Sequence, residues 1–111
     1  MSTYARPKAV AYLRIHPEDA DGLIAMQEKL FVEYAEKRGF DLCHIEFEPE
    51  DSINVRRIGE VIEEHHAQHF LVLSMEKVTT HPAIASSLDQ AITFCSGAEI
   101  HEIGTGSLGS C

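Results

Sequence analysis

Three sets of residues in this chain have the types and spacing for chemistry. The first is Arg14 and His16, which close a short apolar run, together with Glu76, which follows another. An imidazole oriented by a carboxylate, beside a guanidinium that holds an anion, is the arrangement of a phosphate-handling nucleophile or general base. The plainer reading is that His16 is tolerated at a position without chemistry, because a working site needs a third positioned group. The second set is His65-His66-x-x-His69, preceded by Glu63-Glu64. His65 and His69 stand four apart, the spacing at which two imidazoles on one helix face chelate Zn²⁺. Against a metal, His65 falls on an apolar stripe with Ile58 and Ile62, and His69 falls past the helix end. The residue after His65 is His66 and not the Glu of a zinc-protease motif. The expectation is therefore no metal and no cofactor, with His65, His66 and His69 as the residues to check. The third set is the acidic run Glu46-Phe47-Glu48-Pro49-Glu50-Asp51, either a docking site or, more plainly, a solvated loop. Gly104-Thr105-Gly106-Ser107-Leu108-Gly109 spells a dinucleotide-binding pattern, but that chemistry needs a helix N-terminus, and no helix-forming stretch follows.

These residues have to be positioned by regular elements, and the periodicity supplies them. Residues 8–15 are apolar enough for a buried strand, ended by Pro17. Asp19 or Asp21 can cap a helix over 22–38. Leu23, Met26, Leu30 and Tyr34 recur on it at helical spacing, and Ile24, Phe31 and Ala35 widen that stripe. This is more apolar surface than one core layer needs, which marks Ile24, Phe31 and Ala35 as interface candidates. Gly39 fits a left-handed helix end. A second strand is predicted over 40–47, a loop over 48–52, and a helix over about 54–67 with Val55, Ile58, Val61, Ile62 and His65 in line. Residues 70–75 form a continuous apolar strand, as in the centre of a parallel sheet. Pro82 opens a third helix, with Ile84, Leu88, Ala91 and Ile92 as its stripe and Gly97 as its end. Residues 98–103 make a last strand.

The order β-α-β-α-β-α-β calls for right-handed crossovers and a three-layer α/β/α domain on a mainly parallel four-stranded sheet. The expected strand order is 2-1-3-4. The domain spans 8–103, with an N-terminal extension over 1–7 and a flexible Gly/Ser tail over 104–111. In such sheets the functional crevice lies beyond the C-terminal ends of the strands.

Composition narrows the function. Of 111 residues, 18 are acidic and 9 basic, a net charge of −9, and no Lys or Arg follows Lys77. A stand-alone nucleic-acid or membrane-surface binder would show a basic face. No apolar run is long enough to span a bilayer or to form a signal-peptide core. Cys43, Cys95 and Cys111 are dispersed and odd in number, as for reduced thiols. The expected location is the cytoplasm.

Tyr12-Leu13-Arg14-Ile15-His16, then Gln27-Glu28-Lys29-Leu30, then Tyr34-Ala35-Glu36-Lys37-Arg38-Gly39-Phe40 resembles the start of the serine recombinase (resolvase/invertase) catalytic domain. Phe70 to Val78 is similar to that family's apolar strand running into Asp-Arg-Leu-x-Arg, and Ala83 to Ile103 fits its next helix and strand. The resemblance covers residues 8–103. It implies a resolvase-like fold and site positions at Tyr12, Arg14, His16, Gln27, Glu76, Lys77 and Thr80. The family's nucleophilic Ser, which bonds to a DNA phosphate, is replaced by His16. Its Asp-Arg pair is Glu76-Lys77, and its second Arg falls on Thr80. Lys is a point charge and does not reproduce the bidentate Arg fork, so strand exchange should be lost.

The family also continues into a long dimerising helix and a DNA-binding domain, neither of which this sequence holds. The expectation is a pseudoenzyme that works as a protein–protein interaction or self-association module, regulatory in a bacterium. The alternatives are a divergent phosphate- or anion-handling enzyme using His16, Arg14 and Glu76, and a DNA-associated accessory protein that needs a basic partner.

Overall fold

The structure, a computed structural model, describes residues 6–15, 21–49, 55–74, 79, 81–95 and 97–104. Its elements are β1 (Lys8–Ile15), α1 (Asp21–Arg38), β2 (Asp41–Pro49), α2 (Val55–Glu64), β3 (His69–Val72), α3 (Pro82–Gln90) and β4 (Glu99–Glu102). A π-helical turn, Ala91–Cys95, extends α3. The four strands form one all-parallel sheet in the order β2-β1-β3-β4, the order expected from the sequence.

Alternation along the strands divides the core in two. On one face Ala9, Ala11, Leu13, Leu71 and Leu73 pack with Phe31, Ala35 and Phe40. On the other, Val10, Tyr12, Phe70 and Val72 meet Ile58, Val61 and Ile62 of α2 and Leu88 and Ile92 beyond it. The central strand β1 is buried on both sides, which explains its unbroken apolar run.

The face that α1 turns inward differs from expectation. Phe31 and Ala35 are buried, and Ile24 packs on the same cluster. Phe31 and Ala35 are core residues with no surface to offer a partner, and Ile24 is partly buried against them. Leu23 and Met26, expected at the centre of the buried stripe, are 39% and 48% exposed. Apolar residues cover two sides of α1, and only the approach of the sheet decides which side is buried.

Helix ends follow backbone chemistry. At the end of α1, Gly39 (φ 76°) is left-handed, with Gly39 N–H donating to Glu36 C=O and Phe40 N–H to Ala35 C=O. That pair of bonds is a Schellman cap, closed by contact between Phe40 and the last turn. α2 ends the same way. His66 N–H donates to Glu63 C=O and Ala67 N–H to Ile62 C=O, with His66 itself at φ 54°. His66 therefore serves as the left-handed cap residue, a conformation that costs a non-glycine residue about 1 kcal/mol.

β2 runs past its expected end at residue 47. Arg14 pairs with Glu48 and Ile15 with Pro49, so the full length of β1 templates it. A proline is tolerated there because β2 is an edge strand. Glu46 and Glu48 are thus strand residues and not part of a loop. The predicted helix over 54–67 is shorter, and the strand expected from residue 70 begins at His69. No helix among the described residues is long and apolar enough to cross a membrane.

Candidate functional site

Polar side chains gather at both edges of the sheet. At the C-terminal edge, Tyr12 and Arg14 project from β1 beside Glu46 and Glu48 of β2. The Tyr12 hydroxyl donates to Glu48 Oε1 at 3.1 Å, and both residues are buried. Burial, reinforced by the Glu48 carboxylate, pushes the phenol well above its usual range, with Arg14 pulling weakly the other way. Tyr12 is therefore a neutral hydrogen-bond donor and not a phenolate nucleophile. Gln27, another position the resemblance singles out, lies half-buried on α1. Among the described residues its buried Oε1 has no hydrogen-bond partner. His16, Glu76, Lys77 and Thr80 lie outside the described residues, so of the expected site the structure places Tyr12, Arg14 and Gln27.

The acidic run separates into two roles. Glu48 is the buried acceptor for Tyr12. Glu46 accepts from or pairs with His44 Nε2 at 2.8 Å and lies 3.5 Å from Arg57 Nε. Arg57 also approaches Glu60 and Glu64 on its own helix, so it ties α2 to β2. Glu50 and Asp51 lie outside the described residues. Cys43 on β2 donates its thiol to Asp41 C=O at 3.4 Å. Burial, with Asp41 nearby, pushes that thiol up, away from nucleophilic use.

The three histidines of the His-His-x-x-His run do not converge. His65 lies just past α2, half-buried, with its ring stacked on His44 at 5.1 Å. His66 is the exposed cap residue. His69 opens β3 at the N-terminal edge of the sheet, where it meets Glu99 and His101 of β4. His69 Nδ1 is 2.9 Å from His101 Nε2, and Glu99 Oε1 is 3.5 Å from the first and 3.6 Å from the second. His101 Nδ1 is 3.0 Å from the Tyr34 hydroxyl, in the last turns of α1. Phe40 lies flat on His69, with centroids 4.0 Å apart and planes at 13°. Arg38 sits over the Tyr34 and Phe40 rings.

Burial pushes both imidazoles below the ordinary histidine range, Glu99 opposing it and Arg38 adding to it. Neutral imidazoles are the form that binds a cation through nitrogen. Sequence reasoning named His69 but missed Glu99 and His101. The signal was there in outline: Glu99-x-His101 has strand spacing, which puts both side chains on one face, and the strand order made β4 the neighbour of β3. The missing element was register, which sets His69 opposite Glu99 and Leu71 opposite His101.

No protein-family profile and no curated protein sequence matches the chain. Its structure is similar to a crystal structure of the C-terminal catalytic domain of ISC1926 TnpA, an IS607-like serine recombinase. The TM-score is 0.73 and the sequence identity 14%, over 89% of this chain and 70% of that one. At that identity the likeness establishes architecture, and chemistry has to be argued from the residues themselves. The chain has the resolvase-like fold of a serine recombinase catalytic domain, with its parallel sheet in the order 2-1-3-4.

Proposed function

We propose that this chain is a catalytically inactive serine recombinase-like domain that acts by binding protein, its own copy or another, in a regulatory role in a bacterium. The observation that carries the reading is in the sequence: His16 stands where the family has its nucleophilic serine, and Thr80 where it has an arginine. The Tyr12–Glu48 pair is consistent with it, since the phenol at a site position is committed to an internal carboxylate. Support for association comes from exposed apolar side chains. Leu23 and Met26 follow one side of α1, Val32 lies elsewhere on that helix, and Phe94 is 81% exposed. Leu23 and Met26, one turn apart on α1, are the neighbouring pair among these, and contiguous exposed apolar surface marks contact sites.

Light scattering on a size-exclusion column, with reductant present, tests the reading. The expected result is a defined dimer or larger assembly that Met26→Glu dissociates and His16→Ala leaves intact. A strict monomer whose hydrolysis of a phosphate ester disappears in His16→Ala would overturn it in favour of an anion-handling enzyme using His16, Arg14 and Glu76. A salt-dependent gel shift by the chain alone would instead favour the DNA-associated reading.

A further inference from the structure

We propose that His69, Glu99 and His101 form a binding site for a divalent transition-metal ion, Zn²⁺ by its donor set, at the N-terminal edge of the sheet. The inference is independent of the function proposed above. It stands on four features of the cluster.

The first is convergence. Three ligand atoms, Nδ1 of His69, Nε2 of His101 and Oε1 of Glu99, are separated by 2.9, 3.5 and 3.6 Å. Donors on a tetrahedral Zn²⁺ with bonds of about 2.0–2.1 Å stand about 3.3 Å apart. The three separations bracket that value, so an ion seated just above the triangle reaches all three with shifts of a few tenths of an ångström. The second is chemistry. Two imidazoles and one carboxylate suit Zn²⁺ and its neighbours in the transition series, and not Mg²⁺ or Ca²⁺, which take oxygen ligands.

The third feature is support behind the ligands. A metal-binding histidine needs its other ring nitrogen held, which fixes tautomer and ring orientation. His101 Nδ1 faces the Tyr34 hydroxyl at 3.0 Å. A proton on Nδ1, donated to that hydroxyl, leaves the Nε2 lone pair facing His69 Nδ1, whose proton shifts to the other nitrogen of that ring when an ion replaces the hydrogen bond between them. Phe40, stacked on His69, orients the second ring. The fourth is access. His101 and His69 are largely buried, whereas the Glu99 side chain is 69% exposed. The carboxylate can swing to meet an entering ion, and a water completes the four-coordinate shell from the solvent side. The bound ion would clamp β3 to β4.

Isothermal titration of the metal-free chain with Zn²⁺, and with Co²⁺ followed by visible absorption, tests the site. The expected result is one saturable site per chain with the absorption of tetrahedral Co²⁺. Glu99→Gln, an exposed substitution that leaves the fold intact, should weaken binding by about tenfold or more. Tyr34→Phe should do so by about tenfold through the lost outer hydrogen bond. His69→Gln should abolish it, and His65→Gln with His66→Gln should leave it unchanged. Binding that survives Glu99→Gln and His69→Gln undiminished, binding lost with His65 and His66 instead, or no saturable site in the parent chain would each overturn the proposal.

Discussion

At the C-terminal edge of the sheet a phenol and a carboxylate meet in the interior and satisfy each other. At the N-terminal edge two imidazoles and a carboxylate bring three ligand atoms to one point. The first pair, Tyr12 and Glu48, is buried on both sides of its hydrogen bond. The second cluster is backed by Tyr34 and Phe40 and opens toward solvent through Glu99. The fold rule for parallel α/β sheets points to the C-terminal edge for function, and the resemblance does too. Yet the described residues there form a structural bond, and among the described residues the three converging ligand atoms lie at the opposite edge. A shared fold therefore does not settle where this chain's chemistry sits.

Removing one hydroxyl at each edge sharpens the contrast most. Tyr12→Phe leaves the buried Glu48 acceptor without its donor, a loss of about 1–3 kcal/mol or more for a charged group. Tyr34→Phe removes a hydrogen bond between two neutral groups and leaves no charge unpaired, so the loss should be smaller, about 1 kcal/mol. Urea denaturation of the metal-free variants checks both. Equal losses would remove the distinction between a structural edge and a ligand-binding edge.

Acid should act on the histidine edge. In the folded chain both imidazoles titrate below the ordinary histidine value of 6.5, because burial disfavours their charged forms. Between the folded and unfolded values the unfolded chain binds more protons, so stability falls as pH drops through about 6.5. The loss levels off once the folded pair also protonates. Denaturation of metal-free protein at about pH 7.5 and about pH 5.5, either side of the ordinary value, should show this loss, and His69→Gln should reduce it. An unchanged acid loss in His69→Gln would place the sensitivity on other groups.

A backbone effect concerns a histidine outside the proposed ligand set. His66 holds φ 54° at the end of α2, where glycine carries no steric penalty. His66→Gly should stabilise the chain by about 1 kcal/mol, seen as a raised denaturation midpoint, without altering Zn²⁺ affinity. A destabilised variant would mean that the His66 side chain makes contacts that outweigh its backbone cost.

Much of the fold was legible in the sequence because each strand and helix is marked locally. The runs at Ala9–Leu13 and Phe70–Leu73 are continuous and short, as buried parallel strands must be. Gly39 and Pro82 sit at helix boundaries for reasons of backbone geometry. The length of β2 was not legible, since Glu48 and Pro49 read as loop residues until β1 supplies a pairing partner and Tyr12 a hydrogen bond. The candidate site was legible only in part: Tyr12, Arg14 and Gln27 could be named, but the grouping of His69 with Glu99 and His101 could not.

The sequence by itself determined the order of elements and the parallel α/β class, because periodicity and crossover handedness are local or nearly local constraints. Only the tertiary structure decided which side of α1 is buried and which histidines meet. Leu23 and Met26 compete with Ile24 and Phe31 for the same core, and the choice belongs to the sheet that α1 packs against. His69 and His101 are 32 residues apart in sequence, and it is the register between β3 and β4 that sets their rings side by side.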